Sequence, residues 1–425
     1  MRIICSFVII CNIKQNRKKI INKGKLGKNA IFLIASDLIY TITALFAETF
    51  LVAYLLKITN DNITQVSLYY MIINFIQAID SIFIGKFIKD EKYSKINILS
   101  LGIIIRAIFI LFIVLLGNKL SNMFIMVAIF CGISETLYWS THEMIFVGIT
   151  NNGNRKSYMA TKKIASTIVH IVAPIILGST IELYSFTKIA IYVLALSIIQ
   201  IFLSLQIKIY SKANNKTTKF SIKNYINTIK SKKDLKVHRY YKSNLLYGIV
   251  EDPIKTLVTI ITIMTFKTSL NLGILTTIFS VFQIAVMYLY KKFYNKNNAK
   301  YILFAVSSLI FIGAIGLVID IGKITLIIYN FACTTGLCIF DAIYNTQKGD
   351  LIKECNIEEY DVEHVMFNSI LTCSSRFIGF SLILFVGLID NMIVFKGLLA
   401  IIAISVLIYS RIIANIEREN KVNEE

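Results

Sequence analysis

Eight carboxylates interrupt stretches of sequence that are otherwise apolar: Asp37, Glu48, Asp80, Glu135, Glu143, Glu251, Asp252 and Asp341. Apart from lysines within a few residues of the ends of those stretches, Arg106, Lys255 and Arg376 are the fixed positive charges they hold. An ionisable group in an apolar setting is unfavourable, and it is kept beside a partner, in a water-filled cavity or on an ion pathway. A carboxylate held that way can exchange protons or hold a cation. The excess of acids over bases points to cationic or neutral ligands, with protons as a possible coupling ion. The blander reading is that several of these acids are structural and paired with Lys255, Arg376 or backbone groups.

Spacing groups the candidates. At 100° per residue, Asp37 and Glu48 return to about 20° of one direction, roughly 16 Å apart along a helix. Glu135, Trp139 and His142 fall within about 60° of one another, with Glu143 alongside. Tyr247, Glu251 and Lys255 follow i, i+4, i+8. Trp139, the only tryptophan, either stacks on a flat or cationic ligand or packs between helices. His142 is the candidate proton relay, since imidazole is the side chain that both takes and gives a proton near neutral pH. Arg376 shares a stripe with Asn368 and Thr372; it either pairs with an acid across a cavity or binds an anion, and pairing is favoured. His142-Glu143 opens a zinc-type HExxH pattern, but Phe146 stands where the second ligand is needed. No GxSxG elbow, Walker A loop or CxxC pair occurs. No enzyme activity, cofactor or metal is therefore expected.

The elements that carry these residues are long apolar helices. Hydrophobic residues are 56% of the 425 and charged residues 16%, against about 25% charged in soluble domains. A spanning helix needs about 20 mainly apolar residues. Runs of that kind lie at 30–56, 64–85, 96–117, 121–149, 158–181, 186–207, 243–266, 270–290, 301–319, 324–347, 364–387 and 391–410. They predict an all-α polytopic membrane protein of twelve transmembrane helices. Its divisions are a basic N-terminal segment 1–29, a six-helix bundle 30–207, a basic linker 208–242, a second six-helix bundle 243–413 and a tail 414–425. The linker carries eleven Lys/Arg and one acid, Asp234, so it reads as a hydrated loop or surface helix. The order of the first residues, apolar before basic, is the reverse of a signal peptide.

Basic residues accumulate in cytoplasmic loops. With the N-terminus inside, Lys57, Lys119, Lys188, Lys267, Lys323 and Lys396 fall one to each outside loop or the first residues of the span after it. Three more bases lie deep within spans, which leaves 36 of the 45 Lys/Arg in the inside segments or at the inner ends of spans. The expected location is the plasma membrane, with both termini cytoplasmic and the chain a monomer. The net charge of +20 is explained by this topology, and no nucleic-acid partner is expected.

Six plus six spans joined by a basic central loop resemble the major facilitator superfamily, over nearly the whole chain. That family's signature loop between spans 2 and 3 reads roughly G-x-L-x-D-R-x-G-R-K. Here the loop runs Gly85-Lys86-Phe87-Ile88-Lys89-Asp90-Glu91-Lys92-Tyr93-Ser94-Lys95: Gly85 matches, Asp90 matches with one residue inserted, and the second glycine is absent. The equivalent loop Lys291–Lys300 has lost both. The resemblance implies two pseudo-symmetric bundles around a cavity lined by spans 1, 4, 7 and 10, alternating access, and a gating role for Gly85 and Asp90. Seven of the eight acids lie on those four spans; Asp80 is the exception. The expected function is secondary transport of a small molecule, as proton-coupled efflux of a cationic or neutral drug-like compound. The alternatives are a lipid or polysaccharide flippase and a non-transporting receptor or immunity protein on the same fold. The candidate binding or coupling residues are Asp37, Glu48, Glu135, Trp139, His142, Glu143, Glu251, Asp252, Asp341 and Arg376, expected as an acidic ring with Glu135 above it.

Overall fold

In the computed structural model, residues 26–89, 94–149, 155–208, 219–231, 235–294, 298–354, 358–389 and 391–422 are described, and their regular structure is entirely helical. The first helix, α1, is compound: Lys28–Leu45 passes through a π turn, Phe46–Phe50, into Leu51–Ile58. After it come α2 (Ile63–Lys89), α3 (Lys95–Leu116), α4 (Leu120–Ile149), α5 (Arg155–Leu183) and α6 (Phe186–Leu205). A short linker helix, Ile222–Ser231, precedes α7 (Leu235–Phe266), α8 (Ser269–Phe293), α9 (Ala299–Ile319), α10 (Lys323–Glu354), α11 (Asp361–Ile389) and α12 (Met392–Val422).

Among the described residues, ten segments are long and apolar enough to cross a bilayer. One of them, Lys95–Phe146, holds both α3 and α4, which the short turn at Gly117–Lys119 folds back on each other. Gly117 has φ of +49°, a conformation that glycine adopts without steric penalty. The long helix left out is α7, where Glu251, Asp252 and Lys255 interrupt the apolar run. Most helix ends fall within a few residues of the expected spans. α7, α10 and α12 reach further toward the linker side, because a helix continues past the point where its apolar stretch stops. Hydropathy registers only the apolar part.

Packing repeats between the halves. α3 lies along α6 as α9 lies along α12, and α1 meets α6 as α7 meets α12. The halves join through α2 on α11 and α5 on α8, pairs that exchange when each helix is shifted by six. One apolar core draws its buried residues from Tyr225 onward. A second consists of Leu45 to Val193 plus Ile260 and Leu272. Those last two residues seal the side away from the linker. Large apolar side chains such as Leu115, Phe202, Phe304 and Leu388 face outward, as lipid contact requires.

Small residues set the crossings. A Cβ at Gly178 would lie 2.6 Å from the Ser269 carbonyl oxygen, and one at Gly273 would collide with that of Pro174. Such small-residue contacts let membrane helices approach closely. The linker helix is docked rather than free: Tyr225 and Ile229 are buried, and Tyr225 Oη lies 2.7 Å from His364 Nδ1 on α11.

Candidate functional site

Between the two halves lies a cavity of about 710 Å³, within the size range of small-molecule sites. Eight of the ten candidate side chains line it: Glu48, Glu135, Trp139, Glu143, Glu251, Asp252, Asp341 and Arg376. They come from α1, α4, α7, α10 and α11. Hydroxyls and amides of α2 and α11, among them Asn74, Gln77, Asn368 and Thr372, complete the wall.

Asp37 and His142 are absent from this lining. Asp37 is buried against α4 and α5, where it accepts from Tyr138 Oη at 2.5 Å and lies 2.8 Å from both His142 Nε2 and Lys162 Nζ. The shared face expected of Asp37 and Glu48 is not formed. The π turn at Phe46–Phe50 widens the helix between them, so a uniform 100° per residue no longer relates the two. The acidic ring is therefore incomplete at α1. Asp80 also lies outside the cavity lining, half-buried on α2.

Most of the lining charge is paired. Arg106, fully buried on α3, donates to Glu135 Oε1 at 3.1 Å and to the Thr43 carbonyl at 3.4 Å. Gln77 Nε2 donates to Glu135 Oε2 at 2.6 Å. Across the cavity, Glu251 lies 2.7 Å from Lys255 Nζ and 2.6 Å from Arg376 Nη2. Asp252 lies 2.9 Å from Arg376 Nε. Asp341 accepts from Tyr247 Oη and lies 3.9 Å from Lys255. Arg376 thus pairs with acids, as the sequence favoured.

Glu48 differs. Its carboxylate faces the cavity exposed, with no hydrogen bond or ion pair among the described residues; its carbonyl accepts from Tyr70 Oη at 3.0 Å. It sits within the π turn, an irregularity often found at functional sites. Trp139, 47% exposed into the cavity, is braced edge-on by Tyr40, Tyr138 and His142. Lys162 Nζ lies 5.9 Å from its ring centre.

Of the two gating candidates, Asp90 lies outside the described residues. Gly85 packs at the linker-side end of α2, where a Cβ would meet the Phe220 ring at 2.6 Å and Met366 at 2.7 Å. One turn further on, Lys89 Nζ donates to Glu363 Oε2 at 3.1 Å and to the Glu359 carbonyl at 2.7 Å.

Sequence reasoning missed Lys162, Gln77 and Lys89 as partners. Lys162 is seven residues into α5, a depth that marks it as more than a loop charge. The other two carry no comparable signal, since their roles depend on α2 meeting α4 and α11.

A sequence model described as the Major Facilitator Superfamily matches residues 36–354. A stretch of 165 residues is 24% identical to "Uncharacterized protein YqgE" of Bacillus subtilis (strain 168), covering 39% of this chain and 38% of that protein. The chain thus spans well under half the length of the curated relative it matches. The fold is similar to that of a bacterial homologue of the iron transporter ferroportin in an inward-facing state, with TM-score 0.68 and 13% identity over 92% of this chain and 99% of that one. It is also similar to the nucleoside transporter NupG (0.69; 13%; 91% and 99%) and the peptide transporter POT (0.64; 11%; 94% and 98%).

Proposed function

The chain belongs to the major facilitator superfamily, and on that premise we propose that it is a proton-coupled exporter of a small cationic or neutral organic compound. Access alternates as the bundles 30–207 and 243–413 rock about the α2–α11 and α5–α8 crossings. The linker side is cytoplasmic by the distribution of Lys and Arg, and the membrane is the plasma membrane.

The observation that carries this reading is Glu48. Glu135, Glu251, Asp252 and Asp341 each have a direct partner, so protonating any of them breaks an interaction that holds two helices. Glu48 faces the cavity without one. It can accept a proton or a substrate cation while leaving the scaffold intact. Both bases on the cavity wall, Lys255 and Arg376, are already turned to acids. That supports cationic or neutral cargo over anions.

Everted membrane vesicles test it. They are energised, offered lipophilic cations and neutral drugs, and compared for wild type, Glu48→Gln and a protonophore control. Uptake that collapses with protonophore and falls at least tenfold in E48Q is the expected result. Uptake indifferent to both, or no uptake above empty vesicles, overturns the reading.

A further inference from the structure

Beside the central cavity lies a side pocket of about 230 Å³ between α7, α8 and α10. Thr49, Lys255, Thr259 and Asp341 line both, so the pocket opens next to Glu48. Its apolar wall includes Val258, Leu272, Leu275, Phe279 and Leu337.

Its polar wall is built largely of helical hydroxyls. Thr259 Oγ1 donates to the Lys255 carbonyl at 2.9 Å and Thr262 Oγ1 to Val258 at 2.7 Å. Thr276 Oγ1 donates to Leu272 and Ser280 Oγ to Thr276, each at 2.8 Å. Thr334 Oγ1 donates to Asn330 Oδ1 at 3.4 Å. A hydroxyl has one hydrogen and two lone pairs. With their hydrogens directed within their own helices, these hydroxyls present lone pairs to the pocket. Asp341 is an acceptor as well, while Gln283 and Asn330 add amides that both donate and accept.

We propose that this pocket is a subsite for the uncharged, hydrogen-bond-donating part of the substrate, and that the substrate class is a hydroxylated amine. The inference rests on the central cavity being the substrate cavity. The ammonium lies at Glu48. An uncharged chain carrying O–H groups then runs past the Lys255–Asp341 mouth into the pocket, between its hydroxyls and its apolar wall. A ligand without those donors leaves buried acceptors unmatched, the kind of mismatch that sites of this sort discriminate against.

Trp139 reports the test, being the only tryptophan and a cavity residue. The purified full chain in detergent is titrated with 1-amino-1-deoxysorbitol, with hexylamine (same carbon chain and amine, no hydroxyls) and with sorbitol (hydroxyls, no amine). Indole fluorescence is followed. The amino-polyol is expected to bind at least tenfold more tightly than either analogue. The double variant Thr259→Val, Thr276→Val keeps the volume and removes two acceptors. It is expected to erase the preference over hexylamine without weakening hexylamine itself. Equal binding of the two amines in wild type, or an unchanged preference in the variant, overturns the subsite and leaves the cavity reading standing. If neither amine changes the fluorescence, the cavity reading falls too.

Discussion

Lys89 Nζ stands 3.1 Å from Glu363 Oε2 and joins the linker-side ends of α2 and α11. Both side chains are largely removed from solvent, and Glu363 also accepts from the Ser221 backbone N–H of the linker at 3.4 Å. Removing one partner of a buried pair costs about 3 kcal/mol or more. Glu363→Gln is therefore expected to loosen this seam. The check is alkylation of a cysteine placed at Ser369, which meets Ser81 across the seam at 2.8 Å. Its modification rate should rise at least tenfold in E363Q. Equal rates would show that the ion pair does not hold the seam.

Arg106 and Glu135 make the opposite kind of pair, one within a single half. Arg106→Met strips the buried partner from Glu135, and we expect a loss of about 3 kcal/mol, read as a lower melting temperature in detergent. Adding Glu135→Gln should recover part of it, because the neutral amide no longer needs a cation. A double variant as unstable as R106M alone would assign the loss to packing of the arginine stem.

Asp37, ion-paired, and Glu48, facing the cavity, give opposite expectations along one helix. Asp37→Asn removes the charge that holds His142 and Lys162, so stability should fall while the folded fraction keeps its ligand affinity. Glu48→Gln should do the reverse, leaving the melting temperature nearly unchanged and reducing cation binding. Parallel thermal melts and Trp139 titrations of the two variants separate these outcomes.

Two glycines give a matched steric test. Gly178→Val drives a branched side chain into the Ser269 carbonyl, and the α5–α8 crossing should separate, with loss of folded protein in detergent. Gly316, within α9, has open space where a Cβ would go. Gly316→Ala should be neutral or stabilising by about 0.5–1 kcal/mol. Equal yields and melting temperatures for the two variants would contradict this account of the crossing.

The helices were readable because lysines bound the apolar runs, and bilayer thickness fixes how long those runs must be. Arg376 opposite Glu251 and Asp252 was foreseeable, since a lone intramembrane base among acids has few alternatives. The direction of Asp37 was not. Periodicity places a residue on a face, but the π turn at Phe46–Phe50 rotates the rest of α1 relative to its first half, and no residue type at 46–50 announces it. The hydroxyl wall of the side pocket was equally hidden. Thr259, Thr276 and Thr334 look like ordinary helical threonines, and only the meeting of α7, α8 and α10 turns them toward one volume.

That wall constrains even the solvent. A water against Thr259, Thr276 or Ser280 meets a lone pair and points a hydrogen at the protein, while one against Gln283 can accept as well. Ordered waters lose entropy, and releasing them favours whatever replaces their hydrogen bonds. A chain of hydroxyls supplies those same hydrogens already linked together. Solvent in the pocket thus prefigures the pattern of donors that displaces it.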